Sequence, residues 1–341
     1  MSAALSPLLE INELVVHFKV YGGVLKVLDG VQFKVYAGEK VGLVGETGCG
    51  KTTTMKAILR ILPMPPAHLP RGEIFFKGED LLKMRSSQLS RVRGRGISMI
   101  FQDPTAALNP VFTVGQQLEP VIRYALPANR NLSREQIRQK AVIPLKEVAL
   151  ADPERLLDSY PVQLSGGMRQ RVCIGMALAT DPELLIADEP GTSLDVTIQD
   201  QVLRLLHDLV ENKSTSVILI THTLGVVRQM TDRVYVMYAG NMVEVAPTKK
   251  LFANPRHPYT QGLMQAVPKL TGGGIAAGIP GRLPSYLNPP TGCRFHTRCP
   301  HVMDICHREK PPFFKVEADH EVACFLYDQN AQAPPKEASP S

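Results

Sequence analysis

Apolar positions along this chain change period more than once, and the changes separate sheet-forming from helix-forming stretches. Residues 9–20 alternate loosely (Ile11, Leu14, Val16, Phe18) and residues 31–35 cleanly, predicting two half-exposed strands with Tyr21-Gly22-Gly23 as a turn between them. Residues 41–45, 96–101, 184–188 and 217–221 are short, nearly unbroken apolar runs, the pattern of buried strands. A short strand is also predicted between Gly72 and Gly78. From residue 114 to 149 the spacing becomes helical (Val114, Leu118, Val121, Ile122, then Ile137, Ala141, Leu145, Val148), with Pro144 expected to kink the helix or restart it. Helices at 50–62, 172–179 and 196–210 complete an α/β pattern with a mostly helical insertion.

Candidate chemistry gathers at the ends of the buried strands. The first runs into Gly45-Glu46-Thr47-Gly48-Cys49-Gly50-Lys51-Thr52-Thr53 and then a helix. Glycines let a loop turn its N–H groups around phosphate oxygens, and the helix start faces the same anion. Lys51 is placed to reach the β/γ-phosphates and Thr52 to ligate Mg²⁺. Gln102 follows the strand at 96–101, as an Mg²⁺ or water ligand or as a plain turn residue. Asp188 and Glu189 end another strand. Two acids buried side by side require a cation or a proton, so Asp188 is expected on the metal and Glu189 as general base toward water. His222 follows the strand at 217–221, either as a structural histidine or as a donor to a γ-phosphate oxygen. Ser165-Gly166-Gly167 opens a helix as a second phosphate platform, redundant within one molecule but useful to a nucleotide on another subunit. Phe18 is either an adenine-stacking ring or a core aromatic.

Charge changes this picture little. The net charge is +6 over 341 residues, and apart from Arg91-Val92-Arg93-Gly94-Arg95 the basic residues are scattered, so a solvated basic surface is expected and no nucleic-acid partner. No apolar run approaches the roughly 20 residues of a membrane span, and no signal peptide is evident, so a cytoplasmic location is expected.

Taken together and in order, the loop at 45–52, Gln102, Leu164-Ser165-Gly166-Gly167-Met168-Arg169-Gln170-Arg171, the strand ending Asp188-Glu189-Pro190, Ser193-Leu194-Asp195 and His222 resemble an ATP-binding cassette (ABC) ATPase. The resemblance covers roughly residues 8–265. It implies a P-loop NTPase with a RecA-like core, an antiparallel β subdomain and a helical subdomain at about 105–165. It also implies roles: Lys51 and Thr52 in Walker A, Gln102 in the Q-loop facing a membrane partner, Ser165, Gly166 and Gly167 in the signature, Asp188 in Walker B, Glu189 as base, Asp195 in the D-loop, His222 as switch histidine and Phe18 on the adenine. Phe101-Gln102-Asp103-Pro104, Leu108-Asn109-Pro110, His257-Pro258-Tyr259-Thr260 and Gly281-Arg282-Leu283-Pro284 are similar to dipeptide/oligopeptide importer ATPases. That resemblance implies a second, non-identical ATPase, two transmembrane permeases, an extracytoplasmic binding protein, and a peripheral place on the cytoplasmic face of the inner membrane. Nickel, oligosaccharide or another solute as cargo, or a soluble ABC ATPase, are the alternatives.

Cys293, Cys299, Cys306 and Cys324 cluster near the end, with gaps of five, six and seventeen residues. Four thiols among prolines and without an evident core predict a metal-ordered module over residues 266–330, entered through a Gly/Pro linker. All-thiolate ligation favours a [4Fe–4S] cluster, with Zn²⁺ held by Cys and His as the alternative. The resemblance to importer ATPases implies the same cluster. Residues 331–341 are predicted to be a disordered tail.

Overall fold

The computed structural model describes residues 6–125, 132–192, 194–266 and 278–328. Ser193, Gly272-Gly273-Gly274 and the predicted tail at 331–341 lie outside the described residues.

Two sheets carry the fold. The first is antiparallel and four-stranded, in the order β2-β1-β4-β5, built from β1 (Leu9–Val20), β2 (Gly23–Val35), β4 (Ala67–Phe76) and β5 (Glu79–Asp80). The second has eight strands in the order β11-β12-β10-β9-β3-β8-β7-β6. Its parallel part comprises β3 (Lys40–Val44), β6 (Ile97–Ile100), β7 (Leu184–Asp188), β8 (Ser216–Ile220) and β9 (Arg233–Tyr238). The antiparallel flank is β10 (Asn241–Pro247), β11 (Phe314–Glu317) and β12 (His320–Val322).

Every residue of β7 and β8 is buried, as their unbroken apolar runs require. Alternation along each strand divides them between two cores. Leu184, Ile186, Ile218 and Ile220 join the core under the antiparallel sheet, whereas Leu185, Ala187, Val217 and Leu219 join the core of the helical region. That region holds the helices Val114–Ala125, Arg134–Glu147 and Gly166–Leu178.

Three expectations need correction. Pro144 does not interrupt its helix, which runs from Arg134 to Glu147. The helix Gly166–Leu178 passes close by, and a Cβ on its Gly175 would sit 2.9 Å from the Pro144 carbonyl oxygen. The stretch expected as helix at 172–179 is regular from Gly166, at the Ser165-Gly166-Gly167 opening, because the Ser165 hydroxyl accepts from Met168 N at 3.3 Å and satisfies a free N–H of the first turn. Finally, the cysteine-rich segment is not a separate module. β12 pairs with β10 (Glu244 opposite Val322) and so extends the main sheet, while Phe295, 2% exposed, stacks against Tyr238 and Tyr259 with ring centroids 5.0 and 5.5 Å away. Its few apolar residues complete the core beside β9 and β10, a contribution too sparse to show as a period in the sequence.

Candidate nucleotide-binding site

Strand ends and helix starts converge on a cleft of about 590 Å³. The loop following β3 forms one wall, with Gly45, Thr47, Gly48, Gly50, Lys51, Thr52 and Thr53 all lining it. Glycine is obligatory at two of these positions. Gly45 has φ +154° and a Cβ there would lie 2.2 Å from the Met237 carbonyl oxygen; Gly50, at φ +114°, would meet Leu28 at 2.7 Å. Cys49 points the other way, fully buried in the core, and burial pushes its thiol above its ordinary range. The helix Lys51–Ile58 follows directly. Lys51 Nζ donates to the carbonyls of Gly45 (2.7 Å) and Glu46 (3.0 Å), which places the ammonium inside the loop.

The acidic pair stands at the end of β7. Asp188 is 2% exposed, and its Oδ1 has no hydrogen-bond partner. Burial pushes its carboxyl up and the neighbouring Glu189 adds to this; the Thr52 hydroxyl and the Lys51 and Lys56 ammoniums oppose both. An orphaned carboxylate oxygen beside a threonine hydroxyl fits a hard divalent cation such as Mg²⁺, with Thr52, Asp188 and the nearby Gln102 as the available donors.

Glu189 sits at φ +48°, a left-handed conformation that costs a non-glycine residue about 1–3 kcal/mol. Three side chains hold its Oε2: Gln102 Nε2 and Thr192 Oγ1 donate at 3.0 Å each, and His222 Nδ1 lies 3.5 Å away. A carboxylate gripped in this way beside a second, buried acid is positioned to accept a proton from water. Thr192 escaped sequence reasoning, because a threonine two residues beyond Pro190 carries no pattern of its own.

Other expected residues lie elsewhere. Ser165, Gly166 and Gly167 do not line the cleft; a Cβ on Gly167 would meet Ile198 at 2.8 Å, so the signature packs on the helix Val196–Lys213. Asp195 caps that helix, accepting from Ile198 N at 3.0 Å. Phe18 pairs with Leu25 and Ala67 across the antiparallel sheet and packs on its core, outside the cleft lining.

Comparison with known proteins agrees with this geometry. A family profile described as "ABC transporter" matches residues 28–192, and one described as "Oligopeptide/dipeptide transporter, C-terminal region" matches residues 243–306. The oligopeptide transport ATP-binding protein OppD of Bacillus subtilis is 45% identical over 95% of this chain and 90% of its own length. The chain belongs to the ABC transporter family, in its oligopeptide/dipeptide branch. A probable peptide ABC transporter ATP-binding protein of Sinorhizobium fredii, y4tR, is 48% identical over 93% of this chain and 94% of its own. Among solved structures, the ATP-binding cassette MJ0796, a dimer in a post-hydrolysis state bound to ADP and Pi, superposes with a TM-score of 0.62 at 25% identity over 70% of this chain and 98% of that one. The fold is that of an ABC ATPase.

Cys293, Cys299, Cys306 and Cys324 of this ABC ATPase lie apart from the cleft. All four are free thiols, and Cys293 N donates to the Cys306 carbonyl at 2.9 Å. Burial pushes Cys293 up to about 11 and Cys324 up to about 12, and Cys293, Cys299 and Cys306 each add to the effect on Cys324. The four thiols therefore share one desolvated neighbourhood. Among the described residues, however, no group of three or more His, Cys, Asp or Glu side chains is arranged as a metal cage. The donor chemistry suits a thiophilic centre, while a closed ligand shell is not formed. No helix among the described residues is long and apolar enough to cross a membrane.

Proposed function

We propose that this chain is the ATP-hydrolysing subunit of a membrane importer for di- or oligopeptides. The observation that carries the reading is its alignment, from the antiparallel sheet through the C-terminal region, with relatives named for peptide transport. Lys51 and the loop amides hold the triphosphate, while Thr52, Asp188 and Gln102 hold Mg²⁺, which neutralises charge developing on the phosphoryl oxygens. Glu189 takes the proton of the attacking water, and His222 senses the γ-phosphate. Phe18 is assigned to the adenine. Ser165, Gly166 and Gly167 serve the nucleotide of a second cassette, consistent with their absence from this chain's own cleft. That second cassette is read as a non-identical ATPase, and Asp195 lies at the seam with it. Two permeases dock beside Gln102, where Phe101, Val111 and Phe112 are exposed, holding the chain on the cytoplasmic face of the membrane, with a binding protein outside.

Deleting the gene and restoring it with Lys51→Ala tests the assignment: uptake of labelled peptides is lost and not restored. Intact peptide uptake with failure of nickel or oligosaccharide uptake would reassign the cargo.

Cys293, Cys299, Cys306 and Cys324 are proposed to hold a [4Fe–4S] cluster, with Zn²⁺ the alternative. Burial pushes the thiols of Cys293, Cys299 and Cys324 up, and Cys306 lies buried beside Cys293, whose N donates to its carbonyl; metal binding would replace the thiol protons. Full-length protein purified without oxygen is expected to contain about four iron and four sulfide per chain, with broad absorbance near roughly 400 nm. One zinc per chain and no such band would sink the cluster.

A further inference from the structure

The Walker A loop is held from outside its own strand and helix, by residues of the C-terminal region. Glu46 is the loop's single acid. It lines the nucleotide cleft, where a triphosphate brings further negative charge. Arg298 meets it: Nη1 lies 3.0 Å from both Glu46 carboxylate oxygens. The Arg298 side chain is only 4% exposed, against 29% for Glu46. Its other donors are also spent, Nε on the Pro280 carbonyl at 2.7 Å and Nη2 on the Ile279 carbonyl at 2.9 Å. The guanidinium lies 5.8 Å from the Tyr238 ring centroid. Two tyrosines hold the loop backbone as well. The Tyr259 hydroxyl accepts from Glu46 N, and the Tyr286 hydroxyl donates to the Gly48 carbonyl, each at 2.8 Å.

We infer that Arg298 is a positioning residue for ATP, neutralising Glu46 and fixing the Walker A loop, so that nucleotide affinity is set from the C-terminal region. A buried guanidinium with a hydrogen bond on each of its three nitrogens is held in place, so it presents a fixed positive charge where a loop carboxylate would otherwise oppose the phosphates. Removing it leaves Glu46 unpaired beside the triphosphate and frees one of three ties on the loop.

The inference rests on the ATP-site assignment, and the experiment separates the two. Mg-ATP binding is measured by calorimetry on the full chain for wild type, Lys51→Ala, Glu46→Gln, Arg298→Ala, Arg298→Lys, and both Arg298 variants combined with Glu46→Gln, with melting temperature recorded in the absence of nucleotide. Wild type failing to bind, or Lys51→Ala binding equally well, would overturn the site itself. With the site intact, Arg298→Ala is expected to weaken binding about tenfold, or about 1.4 kcal/mol, and adding Glu46→Gln to recover most of that loss. Unchanged affinity in Arg298→Ala, or a double variant no tighter than the single one, would overturn the inference. Should Arg298→Ala not fold, Arg298→Lys decides: its cost must shrink in the Glu46→Gln background, and an equal cost in both backgrounds overturns it.

Discussion

ATP hydrolysis falls by about a hundredfold or more in Glu189→Gln, while Mg-ATP binding stays within a few fold of wild type. The amide keeps the size of the side chain and an oxygen on which Thr192 and Gln102 can still donate. It cannot take a proton, and a positioned general base is worth about 10²–10⁴ in rate. Phosphate release and nucleotide binding, measured on the same preparation, distinguish the outcomes. Undiminished hydrolysis would remove Glu189 from its role; equal losses of binding and turnover would mark it as structural.

The largest effect on stability is expected at Glu244→Ala, 55 residues beyond Glu189 in the chain. Glu244 is fully buried in β10 and accepts from His320 Nε2 at 2.7 Å, Arg256 N at 2.7 Å and His257 N at 2.9 Å. Burial pushes its carboxyl up, but His320 and the backbone donors outweigh burial and hold it below its ordinary value. Truncation orphans these three buried donors, at about 1–3 kcal/mol for each one left unsatisfied. A denaturant midpoint unchanged by Glu244→Ala would refute this. The same cluster makes the fold acid-sensitive. Burial holds His257 near a pKa of about 4, so between the unfolded value of about 6.5 and 4 the unfolded chain takes up a proton that the native one refuses. Stability is therefore complete above that window and falls across it, by about 3 kcal/mol at its lower end. Glu244, with its pKa depressed, adds a further loss as pH drops through its folded value. Melting temperatures that stay flat from pH 7 to 4 would exclude the His257 contribution.

Much of the cassette was legible in the chain because its chemistry is local. A glycine loop between a strand and a helix, or two acids at the end of an apolar strand, carry their meaning in a few adjacent residues. The grip on Glu189 was only partly legible: Gln102 and His222 follow recognisable strands, but Thr192 joins them through a left-handed turn that no sequence period marks. The hold on the Walker A loop was not legible at all. Arg298 and Glu46 meet across some 250 positions, and nothing in the spacing of a single arginine foretells its partner. The C-terminal segment was read as a module that only a metal could order, since its few apolar residues show no core. Its packing became visible only with Phe295 between two tyrosines of the cassette.

The addition of β12 to β10 bears on how the chain is made. During synthesis β10 is complete long before residues 320–322 emerge, and until they do its outer row of backbone N–H and C=O groups has no strand to pair with. An open strand edge is a template for pairing with any other chain. A product cut short before His320 therefore carries a complete Walker A loop and both carboxylates together with an adhesive edge, and it is expected to aggregate where the full chain stays in solution.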